Sequence, residues 1–590
     1  VVPKRGHPFS LRWTATSAGC PRRSAAAPVC RTHASLFDFS ADDCHTTHTW
    51  RTAEYGPACV PDTQRKSIMN LTAFSGCACC SLNRRRFLAT SCAAGACAAG
   101  ALATSSAWAS GGEKKMKIRI IYSASAAKLA WSDWPNVGFD FQPVMDRITG
   151  TLKTQFPNVD FRADLCRNQK QAEELIQQDS AAGVDGYVVY QMNPWVRGIT
   201  SFAATGKPTL YCDFQYGGSG GHLIQTAKLL REKAANVAFL ASSNLEDLVA
   251  AVKCFEIVRN GGSAADFATA ANRVRQQRTP AAGDLGCKPD HLKPASAAET
   301  LAKLKQSKIL AIGKGFPNIA SAIPSEMGIE LVEMGYEELN DLYEAADKEQ
   351  AQAIADRWQK TAVEIVDVTS ETLFGSAKMY LAKKALLAKH KANAITINCL
   401  GGFTAKKIQA YPCLGFYELN NEGLVGGCEC DIRSAATMLL MNAISNGRPG
   451  YISDPVIDTA SRQIIYAHCV APNRVFGPQG EVNPFSIFTH SEDRKGASVR
   501  STMPLGYMTT TAEVGPERKT LLLHRAKAVA NVIDDRACRT KLAAEPVGDI
   551  EKLFTEWDYW GWHRVTTYGD LREPLLAVAE ALNWKVIEEA

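Results

Sequence analysis

From residue 117 onward the chain alternates short β-branched runs with amphipathic stretches, and this alternation limits the fold more than any other feature. Lys117-Ile118-Arg119-Ile120-Ile121-Tyr122 reads as a strand, 144–152 as a helix, 159–163 as a strand and 171–178 as a helix, with strands again at 184–191 and 208–214. Strands separated by helices run parallel, because the crossover carries the chain back to the same end of the sheet. A second unit of the same kind starts at Val237-Ala238-Phe239-Leu240 and a helix at 245–258. It continues through a strand at 308–312, helices at 348–364 and 371–390, and a strand at 394–399. Residues 261–298, rich in Ala, Arg and Gln, form a charged helical insertion or loop. Past residue 410 one helix at 432–445 is followed by short strands at 463–468, 485–489, 497–501, 507–511 and 520–523, then a strand at 563–568 and a helix at 571–582. The expected fold class is α/β: two Rossmann-like α/β domains, 116–225 and 226–410, followed by a C-terminal mixed, largely antiparallel β domain, 411–590.

The leading residues have another character. Asn83-Arg84-Arg85-Arg86-Phe87-Leu88, an Ala/Gly-rich run to Ala103 and Ala107-Trp108-Ala109 supply the basic start, apolar middle and small-x-small cleavage site of an export signal. The paired arginines and the Ala-rich middle resemble a twin-arginine signal. On this reading 69–109 is the signal, Met69 the translation start, Ser110 the mature N-terminus, and 1–68 disordered or untranslated. The partner implied is the twin-arginine export machinery, and the destination is the periplasm or the exterior. Cys44-His45-Thr46-Thr47-His48 then reads as a chance grouping, and Cys92 and Cys97 lack the upstream Leu of a lipid-attachment site.

The formal charge of +6 invites a nucleic-acid partner until it is divided along the chain. Residues 1–109 hold 12 Lys+Arg against 5 Asp+Glu, which leaves 54 against 55 for the body. A body so near neutrality lacks the basic stripe that nucleic acid needs, so no nucleic-acid partner is expected. Ten of the 19 cysteines are scattered over the body in apolar contexts such as Thr209-Leu210-Tyr211-Cys212, and read as buried free thiols.

No Gly-x-x-x-x-Gly-Lys-Ser/Thr loop is present, and Ser123-Ala124-Ser125-Ala126-Ala127 stands where a dinucleotide loop would follow the first strand, so no nucleotide cofactor is expected. Gly217-Gly218-Ser219-Gly220-Gly221 fits Gly-x-Ser-x-Gly between a strand and a helix, which makes Ser219 a candidate hydrolase nucleophile. Four glycines around one serine equally suit a ligand-facing or hinge loop. The densest cluster is Cys428-Glu429-Cys430-Asp431, directly before the helix opening at Ile432. Its carboxylates share one face of an extended segment, and Asp431 would also make a good N-cap. Glu418 and Glu422 precede it, and Trp560-Gly561-Trp562-His563 lies near the end of the chain.

These segments resemble the L-fucose isomerase and L-arabinose isomerase superfamily, in particular its fucose-isomerase-like branch. The resemblance runs through Leu419 to Leu440, Ile464-Ile465-Tyr466-Ala467-His468-Cys469, Thr489-His490-Ser491 and Pro504-Leu505-Gly506. Trp560-Gly561-Trp562-His563 is similar to the family's Trp-Gly-x-x-His loop, one residue shorter here. The likeness follows domain order over most of the body and is specific in the last 180 or so residues.

The resemblance implies a divalent metal, usually manganese, and a proton passed between sugar C1 and C2. Glu429, Asp431 and His563 fall at the metal positions, with Glu429 and Asp431 also in the catalytic pair and Glu418 as the further catalytic Glu. His468, His490 and Ser219 are candidates for substrate binding. Moving a carbonyl between adjacent carbons needs a base, an acid and a Lewis acid, and carboxylates with imidazole suit hard ions where thiolates do not. Cys428 and Cys430 therefore read as packing residues. The functional expectation is an exported, metal-dependent aldose–ketose isomerase working through a cis-enediol on a small sugar, as a homo-oligomer. A non-catalytic periplasmic sugar-binding protein on the same fold and a serine hydrolase using Ser219 are the competing readings.

Overall fold

A computed structural model describes residues 115–313 and 317–590. The arginine pair, Met69, Ser110, the Cys44 to His48 grouping, Cys92 and Cys97 lie outside the described residues. In chain order the first unit supplies β1 (Met116–Ser123), β2 (Val159–Cys166), β3 (Gly186–Gln191), β4 (Thr209–Asp213) and β5 (Val237–Leu240). They form one parallel sheet in the order β2-β1-β3-β4-β5, so Val237–Leu240, expected to open the second unit, is instead the edge strand of the first sheet, beyond the expected boundary at 225. Every residue of β3 and β4 is buried, as continuous apolar strands covered on both faces must be. Side chains alternate between two cores. Ile118, Ile120, Tyr122, Val188 and Leu210 face one, and Ile121, Tyr187, Val189 and Tyr211 face the other.

The second unit contributes β6 (Lys308–Ile312), β7 (Glu330–Met334), the short β8 (Ile365–Val366), β9 (Ala394–Ile397) and β10 (Val425–Cys428). Four of these form a parallel sheet ordered β10-β9-β6-β7. Its edge strand β10 thus comes from beyond residue 410, where the alternation of strands and helices had suggested a boundary.

The remaining strands are β11 (Tyr451–Asp458), β12 (Gln463–His468), β13 (Phe485–Phe488), β14 (Ser498–Ser501), β15 (Met508–Gly515), β16 (Thr520–Asn531), β17 (Thr540–Pro546), β18 (Arg564–Tyr568) and β19 (Lys585–Glu588). The sheet order β15-β18-β11-β12-β17-β16 closes through antiparallel pairing of β15 with β16, and β19 adds in parallel to β16. Closure into a barrel pairs the two end strands of these six with each other. β13 pairs with β14 and with β8.

Four helices frame the site and its supports: α1 (Ser219–Arg231), α2 (Ala264–Arg278), α3 (Ser370–His390) and α4 (Ile432–Ile444). Leu223 and Ala227 of α1 share a core with Ile457, Tyr466 and Leu542, so α1 joins the first sheet to the barrel. α2 begins with a capping box made by Ser263 and Asp266. The irregular chain after it straps onto the barrel side, with the Lys288 amide donating to the Gly506 carbonyl (2.7 Å) and Arg448 forking onto Asp290 (2.6 Å each). Among the described residues no helix is long and apolar enough to cross a membrane.

Candidate active site

The C-terminal ends of β10 and β12, the middle of β11 and the residue before β18 meet at one end of the barrel. β10 ends at Cys428, and the chain then turns through Glu429 and Cys430 with φ of 63° and 55°. Two successive non-glycine residues in the left-handed region are strained, a condition that persists where surrounding structure holds it and that clusters at functional sites. The turn delivers Asp431 to the mouth of α4. There Asp431 accepts hydrogen bonds from the Ser434 amide (3.0 Å) and hydroxyl (2.8 Å), so it caps the helix as expected.

Asp431 does more than cap. Its Oδ2 lies 2.9 Å from Nδ1 of His563, a contact that keeps a proton on Nδ1 and turns Nε2 into the site. That Nε2 is buried without a hydrogen-bond partner and faces Asp454 Oδ1 at 3.4 Å and Glu429 Oε2 at 3.7 Å. Asp454 lies on β11, opposite Ala467 of β12, so the ladder register sets it beside His468. The His468 and His563 rings lie 5.4 Å apart between centroids. His468 is oriented the other way round: its Nδ1 accepts the Cys469 amide (2.9 Å), which leaves the proton on its own buried, unpartnered Nε2. Cys428, Glu429 and His468 offer ligand atoms within 4.8 Å of one another, and so do Asp454, His468 and Cys538.

The electrostatics follow from crowding acids and imidazoles away from water. Burial works against a charged His563, but the Asp431 hydrogen bond and the Asp454 and Glu429 carboxylates hold its pKa well above the ordinary imidazole value. Burial pushes the Glu429 carboxyl well up, opposed by His563 and reinforced by Asp454. For Asp431 burial is outweighed by the His563 and Ser434 hydrogen bonds, which keep its carboxyl well below the usual range. His468 is held low by burial, so it is neutral. Glu513 of β15, completely buried behind Asp431, is pushed up to about 8 by burial and by that neighbour's charge.

The first unit closes one side. Asn193 donates to Asp133 Oδ2 (3.0 Å) and Ser132 to Glu492 Oε2 (3.1 Å), and Trp195 stacks on Trp562 at 4.8 Å between ring centroids. Burial and Glu492 raise the Asp133 carboxyl to about 8. His490 pairs with Asp493 (3.1 Å), and against burial that partner and the neighbouring Cys469 and Glu492 raise it to about 10.

The structure therefore brings together Glu429, Asp431, His468 and His563, with His490 and Glu492 close by in charge. Two sequence expectations are corrected. Glu418 does not join the group: its carboxylate accepts the Trp358 indole N–H (2.5 Å) and pairs with Arg357 (3.0 Å). Ser219 is no nucleophile. It is fully buried, donates to Asp213 Oδ2 (2.9 Å) and accepts the Tyr216 amide (3.1 Å). The imidazole on the same helix, His222, stacks on Tyr211 and is driven down to about 3 by burial, so it serves Ser219 as no base. The glycines there are close-approach residues, since a Cβ on Gly218 or Gly221 would sit 2.0 Å from the Gln191 carbonyl or 2.1 Å from that of Pro194. Asp454 escapes a reading of the sequence alone. A lone Asp beside Pro455 gives no signal, whereas Glu492, following His490, is visible as a polar neighbour.

A metal ion fits this donor set on one observation above others: a buried, unpartnered imidazole nitrogen facing two carboxylates, where a divalent cation would take the place of the Nε2 proton that those carboxylates otherwise hold. The oxygens and nitrogen are donors for a hard or borderline divalent ion.

No family model matches the chain. It is similar to sulfoquinovose isomerases: that of Priestia megaterium (strain ATCC 12872 / QMB1551) is 23% identical over 219 residues, 36% of this chain and 47% of that one. The protein of the same name from Clostridium sp. (strain MSTE9) is 22% identical over 316 residues, 48% and 65% of the two chains. The one from Alkalicoccus urumqiensis is 29% identical over 96 residues, 16% and 21%. The chain thus spans about half the length of the curated relatives it matches, and it is distantly related to sugar isomerases. Among solved structures, a periplasmic solute binding protein from Actinobacillus succinogenes 130z with bound D-allose aligns with 50% of this chain and 84% of its own at 11% identity. Its TM-score of 0.16 carries no argument about fold or ligand.

Proposed function

We propose that this chain is a metal-dependent aldose–ketose isomerase acting on a small sugar through a cis-enediol, and that sulfoquinovose, the sugar in its relatives' name, belongs among the substrates to try. The observation that carries the reading is the His563 imidazole, fixed by Asp431 at Nδ1 and turned toward Glu429 and Asp454 at Nε2. Glu429, Asp454 and His563 would hold the ion, and Mn2+ is the ion we propose. Asp431, a ligand in the expectation drawn from the resemblance, in this reading orients the ligand His563 and leaves the ligand position to Asp454, since its two oxygens are already engaged by His563 and Ser434. The bound ion would supply Lewis-acid stabilisation of the enediolate.

The chain's own residues do the rest. Glu429, whose pKa is raised by burial, takes the proton from one carbon and returns it to the next at the carboxylate oxygen turned away from His563. Neutral His468 donates its Nε2–H to a sugar oxygen, and cationic His490 adds a charged donor behind it. Trp195 and Trp562 wall the first unit's side of the site. Export by the twin-arginine route and assembly into a homo-oligomer belong to the same proposal.

The test is metal analysis of the purified protein combined with a screen of aldoses, sulfoquinovose included, for ketose formation. Stoichiometric Mn2+ with turnover that chelator abolishes is the expected result. Tight sugar binding with bound metal but no turnover would instead make this a binding protein on an isomerase-like site.

A further inference from the structure

Two buried cysteines end neighbouring strands of the second sheet beside the site. β9 stops at Ile397 and Cys399 follows two residues later, whereas β10 stops at Cys428, opposite Ile397 in the ladder. The two Sγ atoms lie 3.7 Å apart, van der Waals contact for sulfur, and both thiols are free. A disulfide needs about 2.05 Å, so closing it asks the sulfurs to approach by under 2 Å, a rotamer adjustment plus a small backbone shift. The two sides differ in what a shift would carry with it, although the Cys428 carbonyl also accepts the Thr396 hydroxyl (3.3 Å) and the Asp431 amide (3.2 Å). Asn398 and Cys399 are pinned, since Asn398 caps the following turn through the Gly401 amide and its carbonyl accepts the Tyr336 hydroxyl. Cys428 instead runs straight into the left-handed pair Glu429 and Cys430, the strained turn that presents the Glu429 carboxylate to His563.

We propose that Cys399 and Cys428 form a reversible disulfide under peroxide, and that its formation withdraws Glu429 from the site. The step balances with hydrogen peroxide as oxidant. One thiol sulfur attacks a peroxide oxygen, its S–H proton leaves with the departing oxygen as water, and the sulfur becomes a sulfenic acid. The second thiol sulfur displaces that hydroxyl, which takes the second S–H proton and leaves as another water, and the S–S bond forms. Two thiols and one peroxide give one disulfide and two waters. Pulling Cys428 toward Cys399 turns the adjoining strained residues, and Glu429 follows as the next residue in the chain. The effect on metal rests on the reading of Glu429 as a ligand, whereas the cross-link does not.

The experiment treats the full chain with hydrogen peroxide, alkylates the remaining thiols, and maps peptides by mass spectrometry, with Mn2+ affinity measured on the same samples before and after. A cross-link between Cys399 and Cys428, at least a tenfold loss of Mn2+ affinity, and recovery of both in dithiothreitol is the expected result. Cys399→Ser should bind Mn2+ as the untreated protein does and keep that affinity in peroxide. Should that variant misfold, Cys399→Ala serves the same purpose. Alkylatable Cys399 after peroxide, a bridge between Cys469 and Cys538 instead, or over-oxidation of a single thiol would overturn the proposal. So would a 399–428 bridge that leaves Mn2+ affinity unchanged. A protein that binds no Mn2+ even when reduced would count against the isomerase reading, and the peptide map would still decide the disulfide.

Discussion

Asp431 shows how one side chain can serve fold and site together. As an N-cap it needs only an oxygen for the Ser434 amide, and Asn supplies that as well as Asp. As the partner of His563 Nδ1 it needs a charge, and Asn lacks one. Asp431→Asn should therefore leave the melting temperature nearly unchanged while Mn2+ affinity falls about 10–100-fold, measured by calorimetry and by metal titration. Equal losses in both would mean that the carboxylate acts through the helix alone. Glu418 marks the converse case. Glu418→Gln should cost about 1–3 kcal/mol of stability, through its bonds to Trp358 and Arg357, and leave metal content and turnover as they were. Glu429, Asp431 and His563 are legible in the sequence because two stand two positions apart before one helix and the third sits in an aromatic loop of family-like form. Asp454 is not, since its partners stand 25 residues before it, at Glu429, and 109 after it, at His563, and pairing over such distances leaves no local mark. Glu418 misleads for the same reason: only packing shows that Trp358 and Arg357 claim it.

At the scale of elements, alternation makes the parallel strands and the long helices readable, down to α3 at Ser370–His390 against an expected 371–390. β11 escapes because Pro455 and two aspartates interrupt it, features that argue against a strand in the sequence. In the structure all eight of its residues are buried between β12 and β18, with Pro455 opposite Tyr466. Barrel closure and the return of β10 to the second sheet are non-local, and the sequence carries no signal for either. α3 also carries a testable oddity, a fully buried lysine. Lys383 donates to the Pro412 carbonyl (2.7 Å), lies over the Phe416 ring and is lowered to about 7 by burial. Between pH 7 and the ordinary lysine value of about 10.4 the unfolded chain holds a proton there that the folded chain lacks, so stability rises with pH across that window. Below pH 7 both states are protonated and the burial cost is borne in full. Lys383→Met should flatten the slope between pH 7 and 10 and raise stability most at or below neutrality, read from denaturant midpoints. A slope that survives the substitution would assign it to other groups.

For the molecule as a whole, the proposed exported isomerase draws its site from three parts of one chain: the end of β10, the barrel, and the loops of the first unit that carry Asp133 and Trp195. Replacing Arg85 and Arg86 together with Lys should stop export, because the twin-arginine pathway reads guanidinium pairs rather than charge. Continued export in that variant would assign the signal to another route. The central claim is the chemistry, and the most direct measurement is solvent labelling. Sugar incubated with the Mn2+-loaded protein in heavy water should come back carrying deuterium at the isomerised carbon, because the Glu429 side chain, though largely buried, keeps 31% of its surface exposed and can exchange the proton it carries between the two carbons. The label should vanish with chelator, with His563→Ala and with Glu429→Gln. Metal-dependent conversion that brings in no solvent deuterium would mean hydride transfer between the carbons, and would contradict the enediol account at its centre.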